Sequence, residues 1–264
     1  MIVVRARLNF TFRNDHHRPS LSRAGHPLFR SSVRVLKHPL LVTLFEAAVR
    51  RSTLQYLSDS QPITIQAFTP ETGGAHPAVI ALHGSGGIRE GWAEQPASLL
   101  AGHGFAVFVI HYFERTGTYW ADDRTIRQSF ELWMKAVSDA ITFASHQPQV
   151  DGSRVGLLGF SLGGYLALSV ATRDPRVKAV VEYFGGLPEE LTHELKPLPP
   201  TLVLHGERDT VVPVTEAHKL QHLFENTGTP YELKLYPVAG HGFSGFDLLD
   251  AGQRTLAFLK QHLH

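Results

Sequence analysis

Length, composition and charge exclude several classes of protein. The chain has 264 residues, 43% of them hydrophobic and 19% charged, with a formal net charge of +1 and no cysteine. This composition is that of a globular protein, and it excludes disulfides, thiolate nucleophiles and cysteine-based zinc sites. No run of about 18 apolar residues is present, so the sequence predicts no membrane-spanning helix.

Residues 1–52 are predicted to form a basic N-terminal extension that is poorly structured or helical. Ten of the 25 Lys and Arg residues lie within residues 1–55, against two acidic residues. The stretch "PLLVTLFEAAV" (39–49) is typical of an amphipathic helix. A leader without packed structure is the favoured interpretation, and an organelle-targeting peptide or a polybasic arm is the alternative. The rest of the chain gives no reason to expect a nucleic-acid partner, and a cytoplasmic location is the default expectation.

Residues 53–264 alternate between short β-rich runs and longer helical runs, which predicts one α/β domain. Two runs predict an opening antiparallel pair, and continuous apolar runs predict strands covered on both faces. The expected fold is a mostly parallel sheet of about eight strands flanked by helices, with ligands at the carboxyl ends of the strands. The predicted strands are 54–57, 63–68, 78–84, 105–113, 154–160, 177–184, 201–206 and 231–237, and the predicted helices are 93–103, 124–146, 162–173, 214–227 and 247–262.

The segment "GFSLG" (159–163) fits the pattern G-x-S-x-G between a predicted strand and a predicted helix. That context is typical of a nucleophile elbow, in which a serine sits on a sharp turn between glycines. Ser161 is therefore the candidate nucleophile. Its alternative role is that of a helix N-cap.

A serine hydroxyl needs a base to take its proton and an acid to orient that base. Asp209 and His241 follow the next suitable strands, in the order Ser, Asp, His that α/β-hydrolases use. The alternative for Asp209 is a turn acid, with Glu207 or Asp247 as its substitutes.

The same chemistry requires amide donors for a developing oxyanion. The amide of Leu162, at the start of the helix after the elbow, is one candidate. The other comes from the glycine-rich loop "HGSGG" (83–87), where Ser85 is favoured and Gly84 and Gly86 are the alternatives and candidate substrate contacts.

Four motifs in this order, "HGSGG", "GFSLGG", "HGERDTVVP" and "GHGF", resemble the dienelactone hydrolase family of α/β-hydrolases over about residues 60–262. The resemblance implies an α/β-hydrolase fold without a large lid. The founding members use a cysteine nucleophile assisted by a glutamate, where this chain has Ser161 and Gly84. They also anchor the substrate carboxylate with two arginines, of which Arg115 matches one and Gly245 replaces the other. These departures argue against dienelactone itself as the substrate.

The substrate pocket is predicted from aromatic residues near the strand ends. Arg115 is expected to be either a substrate anchor or a surface ion pair, and each aromatic residue either lines the pocket or packs in the core. The candidate aromatic pocket residues are Tyr112, Tyr119, Trp120, Phe160, Tyr183 and Phe243.

The predicted function is a serine hydrolase that cleaves a small carboxylic ester or lactone through an acyl-enzyme. No metal or cofactor is expected. The alternatives are an acyltransferase or peptidase with the same triad, or a non-catalytic ligand-binding protein on this scaffold. The oligomeric state and the natural substrate are not predicted.

Overall fold

Eight strands form a single sheet in a computed structural model that describes residues 48–88, 93–193 and 195–264. The strands are β1 (Val49–Ser58), β2 (Gln61–Pro70), β3 (His76–Leu82), β4 (Ala106–Ile110), β5 (Val150–Phe160), β6 (Val177–Tyr183), β7 (Thr201–Gly206) and β8 (Tyr231–Tyr236). Their order in the sheet is β1-β2-β4-β3-β5-β6-β7-β8. β2 is antiparallel to both β1 and β4, and all other neighbours are parallel. The predicted mostly parallel sheet of eight strands is therefore confirmed.

Within the described ranges, five α-helices cover both faces of this sheet. They are α1 (Glu94–Gly102), α2 (Asp123–Ser145), α3 (Leu162–Ala171), α4 (Thr215–Thr227) and α5 (Gly245–Leu263). One apolar cluster joins the sheet to α2, α3 and α4, and a second joins the opposite face to α1 and α5. Because both faces are buried, the central strands are mostly apolar on both faces, without the alternation of a half-exposed strand.

The amphipathic pattern of α2 explains how a long helix packs on the sheet. Its buried residues recur every three or four positions, from Ile126 through Phe130 and Trp133 to Val137, so that one face lies on the core. The helix begins where the Asp122 carboxylate accepts a hydrogen bond from the Thr125 amide at 2.8 Å.

Among the predicted boundaries that differ from the structure, two change where an element lies. β1 begins at Val49, so residues 49–52 belong to the sheet and not to the N-terminal extension. The predicted strand 105–113 stops at Ile110, because the chain turns into the 3-10 helix Tyr112–Thr116. Most of the predicted helix 39–49 lies outside the described residues.

The connection between β6 and β7 starts at the carboxyl edge of the sheet. Between β6 and β7 the only helix among the described residues is the short 3-10 helix Glu189–Leu191. No helix in the described part of the chain is both long enough and apolar enough to cross a membrane.

Candidate active site

Ser161 occupies the turn between β5 and α3 in a conformation that L-residues rarely adopt. Its φ is 54° and its ψ is −118°, a strain that costs about 1–3 kcal/mol and persists only where the surroundings enforce it. The positions on either side of this turn, Gly159 and Gly163, leave no room for a Cβ atom. A Cβ on Gly159 would overlap the carbonyl of Gly163, and one on Gly163 would overlap the carbonyl of Leu82.

The Ser161 hydroxyl points to a histidine rather than to the helix it precedes. Within the described residues it makes no capping hydrogen bond to α3, which argues against the N-cap alternative. Instead, Ser161 Oγ lies 2.9 Å from Nε2 of His241. The other ring nitrogen of His241, Nδ1, lies 2.7 Å from Oδ2 of Asp209. Serine, histidine and aspartate thus form one continuous hydrogen-bonded chain.

The Asp209 carboxylate is buried and has three donors. Besides His241 on Oδ2, its Oδ1 accepts the amides of Val211 at 2.8 Å and Val212 at 2.9 Å. These donors stabilise negative charge on a carboxyl group that is removed from water. The exposed Glu207, two positions earlier, does not contact His241 among the described contacts.

His205 supports the loop that carries Asp209. It is fully buried, and its Nε2 lies 2.9 Å from the Val212 carbonyl and 3.6 Å from Asp209 Oδ2. Burial lowers the pKa of His205, so the ring is neutral and its N–H donates to the carbonyl. This hydrogen bond fixes the position of Val212, whose own amide donates to Asp209.

Two backbone amides, of Leu162 and Ser85, are the candidate oxyanion donors. Leu162 is the first residue of α3, where N–H groups and the helix dipole face outward, and Ser85 lies in the turn after β3. Neither amide donates to another group within the described part of the chain. Gly84 approaches the serine closely, since a Cβ there would lie 3.3 Å from Ser161 Cβ. Gly86 is exposed in the same turn.

A sequence model of the dienelactone hydrolase family matches residues 63–247. The chain belongs to this family. As a dienelactone hydrolase family member it belongs among hydrolases, and its eight-stranded sheet agrees with that assignment.

Curated relatives and solved structures extend the comparison. The chain is 32% identical to mouse mitochondrial acyl-coenzyme A thioesterase 2 over 158 residues, which are 57% of this chain and 32% of that protein. Identity to human acyl-coenzyme A thioesterase 6 is 37% over 111 residues, 42% of this chain and 24% of that protein. The chain thus spans a third or less of the length of these relatives.

Two solved structures show the same fold at low identity. The dienelactone hydrolase-like promiscuous phosphotriesterase P91, from metagenomic libraries, has a TM-score of 0.72 at 19% identity and covers 83% of this chain and 100% of its own. An acylaminoacyl peptidase of Pyrococcus horikoshii has a TM-score of 0.70 at 17% identity and covers 81% of this chain and 42% of its own.

In this dienelactone hydrolase family member, Tyr112 supports the glycine-rich loop 83–87 from the core and is not exposed at the surface. Tyr112 is fully buried, and its hydroxyl donates to the His83 carbonyl at 2.7 Å. Its ring stacks on the ring of His83 with centroids 4.1 Å apart. Burial lowers the pKa of His83 to about 4, so this histidine is a neutral packing group at neutral pH. The placement of Tyr112 in the substrate pocket is corrected accordingly.

Tyr183 is also in the core, which corrects a second pocket prediction. Its hydroxyl contacts Thr255 Oγ1 at 2.6 Å and the Ala251 carbonyl at 3.1 Å, both on α5. Burial raises the pKa of Tyr183 to about 12. Phe160 and Phe243 are half-buried with their rings against Tyr183, so they stay candidate pocket residues.

Phe184 is a site residue that sequence reasoning missed. Its ring centroid lies 4.8 Å from that of His241 and 5.3 Å from that of Phe243. The signal was present in "EYFGG", where an aromatic residue directly follows a strand. The predicted pocket includes Tyr183, the last residue of β6, but not the residue that follows it.

Arg115 is occupied by a contact away from the serine. Its guanidinium lies 2.7 Å from Oδ2 of Asp59, in the turn between β1 and β2, and its side chain is 14% exposed. The hydrogen bond from Arg115 lowers the pKa of Asp59. These contacts favour the surface ion pair over the substrate anchor.

Proposed function

We propose that this protein is a serine hydrolase that cleaves small carboxylic esters or lactones through an acyl-enzyme. The observation that carries the proposal is the hydrogen-bonded chain from Ser161 through His241 to Asp209, with distances of 2.9 and 2.7 Å. Membership in a hydrolase family supports it.

Acylation begins when Ser161 Oγ attacks the substrate carbonyl carbon. His241 Nε2 takes the hydroxyl proton, and the imidazolium that forms is stabilised by Asp209. The negative charge on the carbonyl oxygen is held by the amides of Leu162 and Ser85, worth about 10²–10³ in rate for each donor in comparable sites.

The tetrahedral intermediate collapses when His241 gives its proton to the leaving alcohol, which departs and leaves an ester on Ser161. A water molecule then attacks this ester, His241 takes a proton from the water, and the carboxylic acid is released. Serine and histidine return to their starting states, so the cycle needs no further reactant.

The connection between β6 and β7 and the pairing of Arg115 favour small, soluble substrates. Only a short 3-10 helix lies between β6 and β7 in the described residues, and Arg115 is paired with Asp59. Neither feature provides a long enclosed channel or a clamp for a carboxylate. Neutral esters of short acyl chains are therefore the first substrates to test.

Thioester hydrolysis is the second candidate activity. It is supported by the 32–37% identity to acyl-coenzyme A thioesterases, although the chain spans only part of those proteins. The attack on a thioester uses the same serine, histidine and oxyanion donors. A substrate panel that pairs oxygen esters and thioesters of equal acyl length separates the two candidates.

A fluorophosphonate probe tests the nucleophile directly. We expect the wild type to be labelled at Ser161 and Ser161→Ala to be unlabelled. Ser244→Ala, which removes an exposed serine near His241, is the matched control and should be labelled as the wild type is. An unlabelled wild type, or equal labelling of Ser161→Ala, would contradict the proposal.

A further inference from the structure

A carboxyl group is buried close to the turn that carries the candidate nucleophile. Glu182 lies on β6 and is fully buried, on the face of the sheet that α3 covers. Its Oε2 accepts the amide of Gly185 at 2.6 Å. Its Oε1 has no hydrogen-bond partner among the described residues. Burying a carboxyl group with a single hydrogen-bond donor reduces the free energy of unfolding, so such groups usually have a role in the structure or the function.

The carboxyl fills the space between the first turn of α3 and the end of β6. A Cβ on Gly164 would lie 3.1 Å from Glu182 Oε2. A Cβ on Gly185 would lie 2.8 Å from the same oxygen and 3.0 Å from the Ser161 carbonyl oxygen. Glu182 Oε2 therefore lies close to Gly164, on α3, and to Gly185, after β6.

The turn that Glu182 closes contains a strained residue. Phe184 has a φ of 43°, which for a bulky side chain is unfavourable by about 1–3 kcal/mol. Hydrogen bonds hold it on both sides: its own amide donates to the Leu204 carbonyl at 2.8 Å, and the next amide donates to Glu182. The preceding carbonyl, of Tyr183, accepts the amide of Ser161 at 2.9 Å. Glu182 supplies the one side-chain acceptor among these three bonds.

The strained turn sets the direction of the Phe184 ring. That ring meets the His241 imidazole at 4.8 Å with an interplanar angle of 58°. The two hydrogen bonds of His241, to Asp209 and Ser161, both act in the plane of the imidazole. They resist rotation out of that plane weakly, whereas a ring in contact with the imidazole hinders that rotation directly.

We propose that Glu182 is a positioning residue for the hydrolysis, because its buried carboxyl closes the turn that holds the Phe184 ring against His241. The kinetic part of this inference rests on the proposed function. The structural part, the orientation of the imidazole, does not.

The acceptor oxygen, not a negative charge, performs this role. Burial raises the pKa of Glu182 to about 8, so the group is neutral at pH 7. Glutamine has the same shape and keeps an acceptor for the Gly185 amide. Methionine fills a similar volume and has no comparable acceptor. The pair Glu182→Gln and Glu182→Met therefore differs mainly in the acceptor.

The test compares these two variants with Phe184→Leu in ester turnover and in the NMR signal of the His241 Cε1–H, assigned by its loss in His241→Gln. We expect Glu182→Met to lower kcat about tenfold with KM within about twofold, and Glu182→Gln to stay within about twofold of wild type. In Glu182→Met the His241 signal should move toward its position in Phe184→Leu, since both lose the ring contact.

Asp174→Asn is the control for loss of a buried carboxylate elsewhere. Asp174 is 8% exposed, pairs with Arg176 and lies beyond the end of α3. It should leave kcat and the His241 signal unchanged.

The proposal is overturned if Glu182→Met keeps the wild-type kcat and His241 signal, or if Glu182→Gln is as impaired as Glu182→Met. If Glu182→Met does not fold, Glu182→Gln and Phe184→Leu still test the proposal. An unchanged His241 signal in Phe184→Leu would overturn it, because the orientation of the imidazole would then not depend on the Phe184 ring. If the wild type hydrolyses no ester, the proposed function fails, while the NMR comparison still tests the position of the imidazole.

Discussion

The ends of β6 and β7 each bring a buried carboxyl group to the edge of the sheet, but with different partners. Asp209, after β7, accepts two amides and a histidine. Glu182, at the end of β6, accepts one amide. Burial raises the pKa of Glu182 to about 8. The comparison shows how two buried carboxyl groups can differ in their donors, each of which favours the ionised form that burial disfavours.

The largest effect is expected from removing the charge after β7. Asp209→Asn should lower kcat/KM for an ester about 10⁴-fold, because an amide in this position favours the wrong tautomer of His241 and cannot stabilise its imidazolium. Steady-state kinetics with circular dichroism to confirm folding measure this. Glu207→Gln, two residues away and exposed, is the control and should retain wild-type turnover. Asp209→Asn activity within tenfold of wild type would refute the assignment of the acid.

The titration of the carboxyl at the end of β6 should affect stability, with a defined dependence on pH. Its pKa is raised from 4.5 to about 8 on folding. Below the unfolded pKa both states hold the proton and stability is complete. As the pH rises from about 4.5 to about 8, the unfolded state ionises and the folded state does not, so stability falls. Above the folded pKa both states are ionised and the loss stops.

Glu182→Gln removes this titration. The free energy of unfolding of wild type relative to Glu182→Gln should decrease by up to about 5 kcal/mol between pH 4.5 and pH 8. Urea unfolding at several pH values in this range measures the difference. A difference that does not change with pH would show that Glu182 is ionised in the folded protein, and the contrast between the two carboxyl groups would be lost.

The smallest effect is expected away from both strand ends, at Arg115. Because its guanidinium is paired with Asp59, Arg115→Ala should leave the ratio of rates for anionic and neutral esters unchanged within about twofold. The lost ion pair should cost less than about 1 kcal/mol of unfolding free energy. Asp59→Asn is the matched control for the stability effect. A preference for anionic esters that disappears in Arg115→Ala would restore the anchor role.

Much of the arrangement could be predicted because parallel strands place their carboxyl ends at one edge of a sheet. Apolar runs predicted the strands, and the positions of Ser161, Asp209 and His241 after such runs predicted that they would meet. Glycines beside the serine predicted the turn, since only they leave room for its close contacts.

The parts of the site that could not be predicted depend on the direction in which a side chain faces. Tyr112 and Tyr183 stand at strand ends, as pocket residues do, but both hydroxyls are directed into the core. Phe184 faces His241 because its φ is positive, and nothing in its residue type predicts that conformation. Glu182, within an apolar run, carries no local signal that its carboxyl lies against the elbow helix.

The strained backbone at Ser161 has a consequence for laboratory evolution. A residue held at φ 54° disfavours the folded state, and glycine would adopt this conformation without that penalty. A library selected only for heat resistance would therefore be expected to enrich glycine at position 161 and to lose its nucleophile. Selection on this scaffold has to score turnover alongside survival, because at this one position the two demands oppose each other.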